Sequence, residues 1–247
     1  MYGELERAAM RRLFKDLIVI EGSDGSGKKT QSEMLKKYLD DNTTAIATLL
    51  DFPDYDSDTG HLVGAMLSGK FGDDAAELNS YFTSPMYSLD RYQYFLKLIR
   101  NNPYERKSIG ICNRYTDSNL IHQGCRLNGT ELVEYWNWLY DFEYNKLGIP
   151  KPSIVLYLDL PFEVSYQNVV DRAKENGIET DINEQESYMK MVYDHVHRIH
   201  TLAGWHMVNC FDGYRNRMRT REEIHEEIKM KLYHAAGKVT LNNLFWP

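Results

Sequence analysis

Short apolar runs punctuate the chain at residues 17–20, 45–52, 109–113, 153–160 and 205–210. Each run is nearly continuous rather than alternating, which is the pattern of strands covered on both faces. Between the runs the apolar positions change period. Met34, Leu35, Tyr38 and Leu39 recur at helical spacing, as do Leu89, Tyr92, Leu96 and Ile99. Tyr188, Val192, Val196, Ile199 and Leu202 make a third such stripe within residues 183–203. Ser84-Pro85 supplies an N-cap and a first-turn proline, and predicts that the helix carrying Leu89 begins there. Residues 132–144 are rich in aromatics and predict a segment that is buried or at an interface. Strands alternating with helices imply a mostly parallel sheet joined by right-handed crossovers. The stretch 148–152 is a loop into the fourth strand rather than a boundary, so 17–235 is expected as a single domain. Residues 1–16 are expected as an N-terminal arm and 236–247 as a C-terminal tail.

Composition narrows the class without deciding the chemistry. A hydrophobic fraction of 43% in 247 residues builds one large α/β core. The net charge of −7 argues against a general nucleic-acid binder, although a local cluster of Lys and Arg still suffices for one small anion. No apolar run reaches the ~20 residues of a membrane span, and the charged N-terminus has no secretory core segment. Cys112, Cys125 and Cys210 are few, odd in number and widely spaced, which suits free thiols in a cytoplasmic protein.

The chemistry starts at Gly22-Ser23-Asp24-Gly25-Ser26-Gly27-Lys28, a G-x4-G-K turn between a predicted strand and a predicted helix. Glycines let the backbone fold tightly so that successive N–H groups meet phosphate oxygens, while the helix N-terminus and Lys28 add positive charge. Gly22, Ser23, Gly25, Ser26, Gly27, Lys28, Lys29 and Thr30 are accordingly the candidates for holding ATP. A hydroxyl normally follows the lysine to reach Mg²⁺; here Lys29 stands there and Thr30 comes one later. His195, His197 and His200 do not share a helix face, since 195 and 197 lie some 200° apart, so no metal-ligand set is assigned. The basic run 215–221 is read as a solvated loop.

The longer string Glu21-Gly22-Ser23-Asp24-Gly25-Ser26-Gly27-Lys28-Lys29-Thr30-Gln31 resembles the P-loop of the thymidylate kinase family, in which an Asp sits inside the loop and Thr-Gln follows it. Further stretches agree in order: Phe52-Pro53, Tyr87 with Arg91, Asn113 to Asn119 around Arg114, Leu156 to Pro161, and Asp181 to Glu184. The resemblance implies a three-layer α/β P-loop NTPase fold, with a five-stranded parallel sheet flanked by helices and a lid near residues 168–182. It implies transfer of the γ-phosphoryl of ATP to dTMP, with Mg²⁺ held mainly by the ATP. Lys28, Asp24, Arg114 and Arg172 would be catalytic. Phe52, Pro53, Tyr87, Arg91, Ser118 and Asn119 would hold dTMP together with Asp24 and Arg114. A homodimer is implied as well. The sequence departs from the family where Asn113 replaces an Asp and where Asp54 and Tyr55 replace an Arg after Phe-Pro. A deoxynucleotide kinase of other base preference, and a relative that binds nucleotide without turnover, are the alternatives.

Overall fold

The computed structural model describes residues 2–101, 107–177 and 181–236. The elements run α1 (Tyr2–Arg11), β1 (Phe14–Gly22), α2 (Lys28–Asn42), β2 (Ala47–Asp51), α3 (Asp58–Leu67), α4 (Ser80–Asn101) and β3 (Lys107–Asn113). They continue with α5 (Thr116–His122), α6 (Gly129–Tyr140), β4 (Ile154–Asp159), α7 (Phe162–Asn176), α8 (Glu186–Ala203) and β5 (His206–Asn209). A small antiparallel hairpin of β6 (Phe211–Asp212) and β7 (Arg217–Met218) precedes α9 (Arg221–Ala236).

Five strands form one sheet in the order β2-β3-β1-β4-β5, and every pairing is parallel. Continuous apolar strands are what such a sheet requires, because each face is covered. Ile18, Ile20, Ile109, Ile111, Leu156 and Leu158 pack against Leu35 and Leu39 of α2 and Ile224 and Ile228 of α9. Leu17, Val19 and Cys112 point the other way, into a core shared with Phe95 of α4. Tyr157 and Trp205 join α5, α6 and α8 on that same side. This is the expected three-layer P-loop fold. The phosphate turn leaves β1, the central strand, at the carboxyl edge of the sheet, where ligands of open α/β sheets bind.

Several sequence expectations are corrected. Within residues 1–16, expected as an N-terminal arm, α1 packs on α4, and Met10, Leu13 and Phe14 belong to the buried core. Charged residues on the outer face of α1 conceal this amphipathic helix from a reading of apolar runs. The helix α4 starts at Ser80, one turn before Ser84-Pro85, and Pro85 lies within it. Asn79 caps it instead, its side chain accepting the Phe82 N–H at 3.1 Å. Pro85 is the sixth residue of the helix and has no N–H to give the carbonyl of Tyr81, so one internal hydrogen bond is absent there. The segment expected as a lid is the second half of α7 as far as Asn176, with residues 178–180 outside those described. Of the expected tail, 237–247 also lie outside them.

Candidate active site

At the end of β1, Glu21 turns a fully buried carboxylate toward the start of α5. It accepts the Tyr115 N–H and the Ser118 hydroxyl, both at 2.7 Å. Burial pushes its pKa up to about 7 despite these donors. Glu21 thereby fastens the turn that follows β3 to the strand that carries the phosphate loop. Arg114 in that turn has φ 66°, a left-handed conformation that costs a non-glycine residue about 1 kcal/mol or more. Its N–H donates to Ile20 O at 3.1 Å, which holds the strained residue in place.

Two glycines of the phosphate loop are required by space or conformation. A side chain on Gly22 would meet the carbonyl of Leu158 at 2.8 Å, because β4 pairs alongside β1 with Leu158 in register with Gly22. Gly27, the residue before α2, has φ 87°, open to glycine and strained for other residues. The loop closes around Lys28, whose ammonium donates to Gly22 O at 3.0 Å, Ser23 O at 2.9 Å and Asp24 Oδ1 at 3.3 Å. Burial, and then the neighbouring Arg114, lower Lys28 to about 8. Asp24 also takes a guanidinium hydrogen bond from Arg114. Burial alone would raise the Asp24 pKa, but Arg114, Lys28 and His122 outweigh it and hold the carboxyl well below its usual range. The other guanidinium nitrogen of Arg114 lies 3.2 Å from His122 Nε2. Burial, and then Arg114, bring His122 down to about 3, so the imidazole is neutral and accepts from the guanidinium.

Beside this cluster opens a cavity of about 290 Å³. Asp24, Phe52, Pro53, Tyr87, Arg91, Arg114, Ser118, Asn119 and Arg172, named in the sequence from five separate stretches, all line it. Phe52 lies in edge contact with Tyr94, their centroids 5.2 Å apart. Tyr87 is half-buried, and desolvation pushes its phenol above the ordinary range. Arg172 reaches the cavity from α7 and pairs with Glu184. Asp181, raised by burial and then by Glu184 to about 6, accepts the Asn183 N–H at 2.8 Å and caps the short turn Ile182–Glu184.

Other expected positions sit apart. Lys29 is exposed on the first turn of α2, and Thr30 is half-buried. The Ser26 hydroxyl is buried and unpartnered among the described residues. Asn113 donates to Asp51 Oδ1 at 2.7 Å across the β2–β3 register. His195 is buried with Nε2 3.1 Å from Leu120 O, whereas His197 meets Asp159 at 3.3 Å. In the basic run, Arg215, Arg217 and Arg219 pair with Asp212, Glu223 and Glu227.

The structure adds residues that sequence reasoning missed. Asp90 accepts from the Asp54 N–H at 3.0 Å and from Ser57 Oγ at 2.9 Å, shaping the loop after β2. Glu143 lies in a π-helical turn, Asp141–Leu147, that continues α6. It is fully buried, and its oxygens accept from Nε of Arg91 at 3.0 Å, from Nη2 of Arg91, and from Ser88 and Thr116 at 2.6 Å. A signal did exist: Glu143 falls one helical step after buried Tyr135 and Leu139, where another apolar residue would be expected. His122 also lines the cavity without having been singled out, as does Tyr55, which the sequence offered only as a departure from the family.

A thymidylate kinase family model matches residues 20–212, which is most of the chain and every site segment described above. The chain belongs to the thymidylate kinase family. A probable thymidylate kinase of Pyrococcus horikoshii is 28% identical over 218 residues, covering 88% of this chain and 95% of that protein. A thymidylate kinase of Mycobacterium tuberculosis is 28% identical over 194 residues, covering 76% and 87%. Among solved structures, thymidylate kinase from Candida albicans superposes with a TM-score of 0.61 at 21% identity, covering 93% of each chain, which bears on the fold alone.

Proposed function

We propose that this chain transfers the γ-phosphoryl group of ATP to the phosphate of dTMP, yielding dTDP and ADP. The observation that carries this reading is the shared carboxylate of Asp24. Lys28 from the phosphate loop and Arg114 from the strand-end turn both converge on it, beside a cavity lined by Tyr87, Arg91 and Asn119. Phosphoryl transfer between two phosphates has to bring two polyanions together, and cations between them supply most of the stabilisation.

In the reaction an oxygen of the dTMP phosphate attacks Pγ, and the bond from Pγ to the bridging oxygen of the β-phosphate breaks. No general base is needed, because the attacking oxygen is already anionic. The loop N–H groups from Gly22 to Thr30 cradle the ATP phosphates, and Lys28 exchanges its loop carbonyls for β- and γ-oxygens. Arg114 and Arg172 hold the acceptor and transferring phosphates, and Tyr87 stacks on the base. Mg²⁺ bound with ATP would neutralise charge on the β- and γ-oxygens. The protein donors fit it only weakly: Asp24 is already shared by two cations, Lys29 replaces a hydroxyl, and Asn113 is tied to Asp51. The ATP phosphates and water would therefore hold the ion.

We also infer a homodimer, through the apolar surface of α4 and α6. Tyr81, Phe82 and Val133 are exposed there, and Tyr81 meets Trp138 at 4.9 Å. Light scattering should give twice 28.9 kDa. Three buried free thiols suit a cytoplasmic enzyme. The activity is tested by assaying each deoxynucleoside monophosphate with ATP under coupled ADP detection. dTMP should be the best acceptor. A better substrate among the others would reassign the base, and nucleotide binding without turnover would make this a non-catalytic member.

A further inference from the structure

A guanidinium has five N–H donors and no acceptor. In Arg91, Nε and Nη2 donate to Glu143, Nη2 donates also to Asn119 Oδ1 at 2.7 Å, and Nη1 donates to Tyr115 O at 3.3 Å. That leaves one Nη1 hydrogen uncommitted. Asn119 is held as well, since its amide nitrogen donates to Ser84 O at 3.3 Å while its oxygen accepts from Arg91. Both residues line the cavity. Glu143 is itself immobile: four donors saturate a carboxylate that is fully buried.

We propose that Glu143 is a positioning residue for nucleobase selection. It fixes the orientation of Arg91, whose guanidinium can only donate, so that this edge admits a pyrimidine with a 4-oxo group and refuses one with a 4-amino group. This rests on reading the cavity as the acceptor-nucleotide site. An amino group facing Arg91 sets donor against donor, and the lock removes any rotation by which Arg91 could withdraw. A site built around a buried polar group rejects the mismatched ligand far more strongly than a hydrophobic pocket does.

The test compares kcat and KM for dTMP and dCMP, with thermal melts of each protein. Wild type should prefer dTMP. Glu143→Gln should cut the dTMP-to-dCMP ratio of kcat/KM by about ten-fold or more, chiefly through KM for dTMP, with KM for ATP unchanged. Because Glu143→Gln leaves a buried guanidinium poorly paired, a second variant replaces both partners by Met, a change buried ion pairs often tolerate. That folded protein should have lost the preference. Ser88→Ala, which removes one donor from Glu143 without touching Arg91, should narrow the ratio by a few-fold. A folded variant of Glu143 that keeps the wild-type ratio overturns the inference. So does a fall in melting temperature with equal losses for both nucleotides, which is what a structural role alone would give. Wild type that neither binds nor phosphorylates dTMP overturns the acceptor reading, and this inference with it.

Discussion

Two guanidinium–carboxylate pairs flank the same cavity, and they are built differently. Arg91 and Glu143 are 2% and 0% exposed, and every other donor to Glu143 is a neutral hydroxyl. Arg114 and Asp24 are 24% and 16% exposed, and Asp24 is shared with a second cation. The first pair has nothing to exchange with, because burial makes either partner alone very costly. The second holds more positive charge than its carboxylate neutralises, in a place that water and anions can reach. We read one part of the site as fixing a shape and the other as keeping cations ready for phosphate.

That division makes the largest effects separate by readout. Lys28→Ala should lower kcat by about 10³-fold or more, with the folded state intact, because Asp24 keeps Arg114 as its partner once Lys28 is gone. Steady-state kinetics beside circular dichroism checks this, and a variant keeping a tenth of wild-type turnover would contradict it. Arg91→Ala should instead show in stability, costing about 3–5 kcal/mol by urea denaturation as it strands Glu143. Arg114→Ala should cost less stability than Arg91→Ala in the same measurement, because Lys28 still pairs Asp24, yet weaken dTMP while leaving ATP affinity nearly untouched. Equal stability losses at the two arginines would erase the distinction.

The exchangeable side was more legible in the sequence than the fixed side. Phosphate chemistry concentrates its residues in one contiguous loop, and Gly22 to Lys28 announce both the strand before and the helix after. The five strands were visible because a doubly covered sheet needs unbroken apolar runs. Arg114, Tyr87 and Arg91 were found through resemblance, since spacing alone says nothing of their convergence. Glu143 was missed because its partner lies 52 residues away and its helix widens into a π-turn. Its role depends on which buried face it occupies, a property of packing. Likewise the packing of α1 leaves little trace in the sequence, because Met10 is its one buried residue among those described.

Glu21 joins the two sides, and its burial sharpens the comparison through pH. Its pKa rises from an ordinary 4.5 to about 7 in the folded protein. Between those values the folded state keeps a proton that the unfolded chain has released, so raising the pH through this window removes stability. Glu21→Gln cannot titrate. The wild-type unfolding free energy, measured relative to this variant, should fall by on the order of 1–3 kcal/mol from pH 4.5 to 7, then level off. A flat difference across the window would mean that Glu21 stays ionised in the fold.

The smallest effect concerns Lys29 and Asn113, which alter the phosphate side alone. A unit charge ~5 Å from a divalent ion costs roughly 2 kcal/mol at the dielectric of water and nearer 7 at an effective value of 20. Lys29 is exposed on α2, so the lower figure is the ceiling, and the ammonium can turn into solvent to reduce it further. Asn113 is engaged with Asp51, so restoring a carboxylate at 113 sets two acids side by side and gives back part of the gain. Lys29→Thr with Asn113→Asp should therefore lower the Mg²⁺ concentration for half-maximal rate by only a few-fold. Calorimetric ATP affinity should gain a matching dependence on Mg²⁺, while KM for dTMP and the melting temperature stay nearly constant. A change in dTMP selectivity in this variant would show that the two halves of the site are coupled. No shift in Mg²⁺ dependence, in an enzyme that turns over dTMP well, would mean that Lys29 already contacts phosphate and replaces the missing hydroxyl.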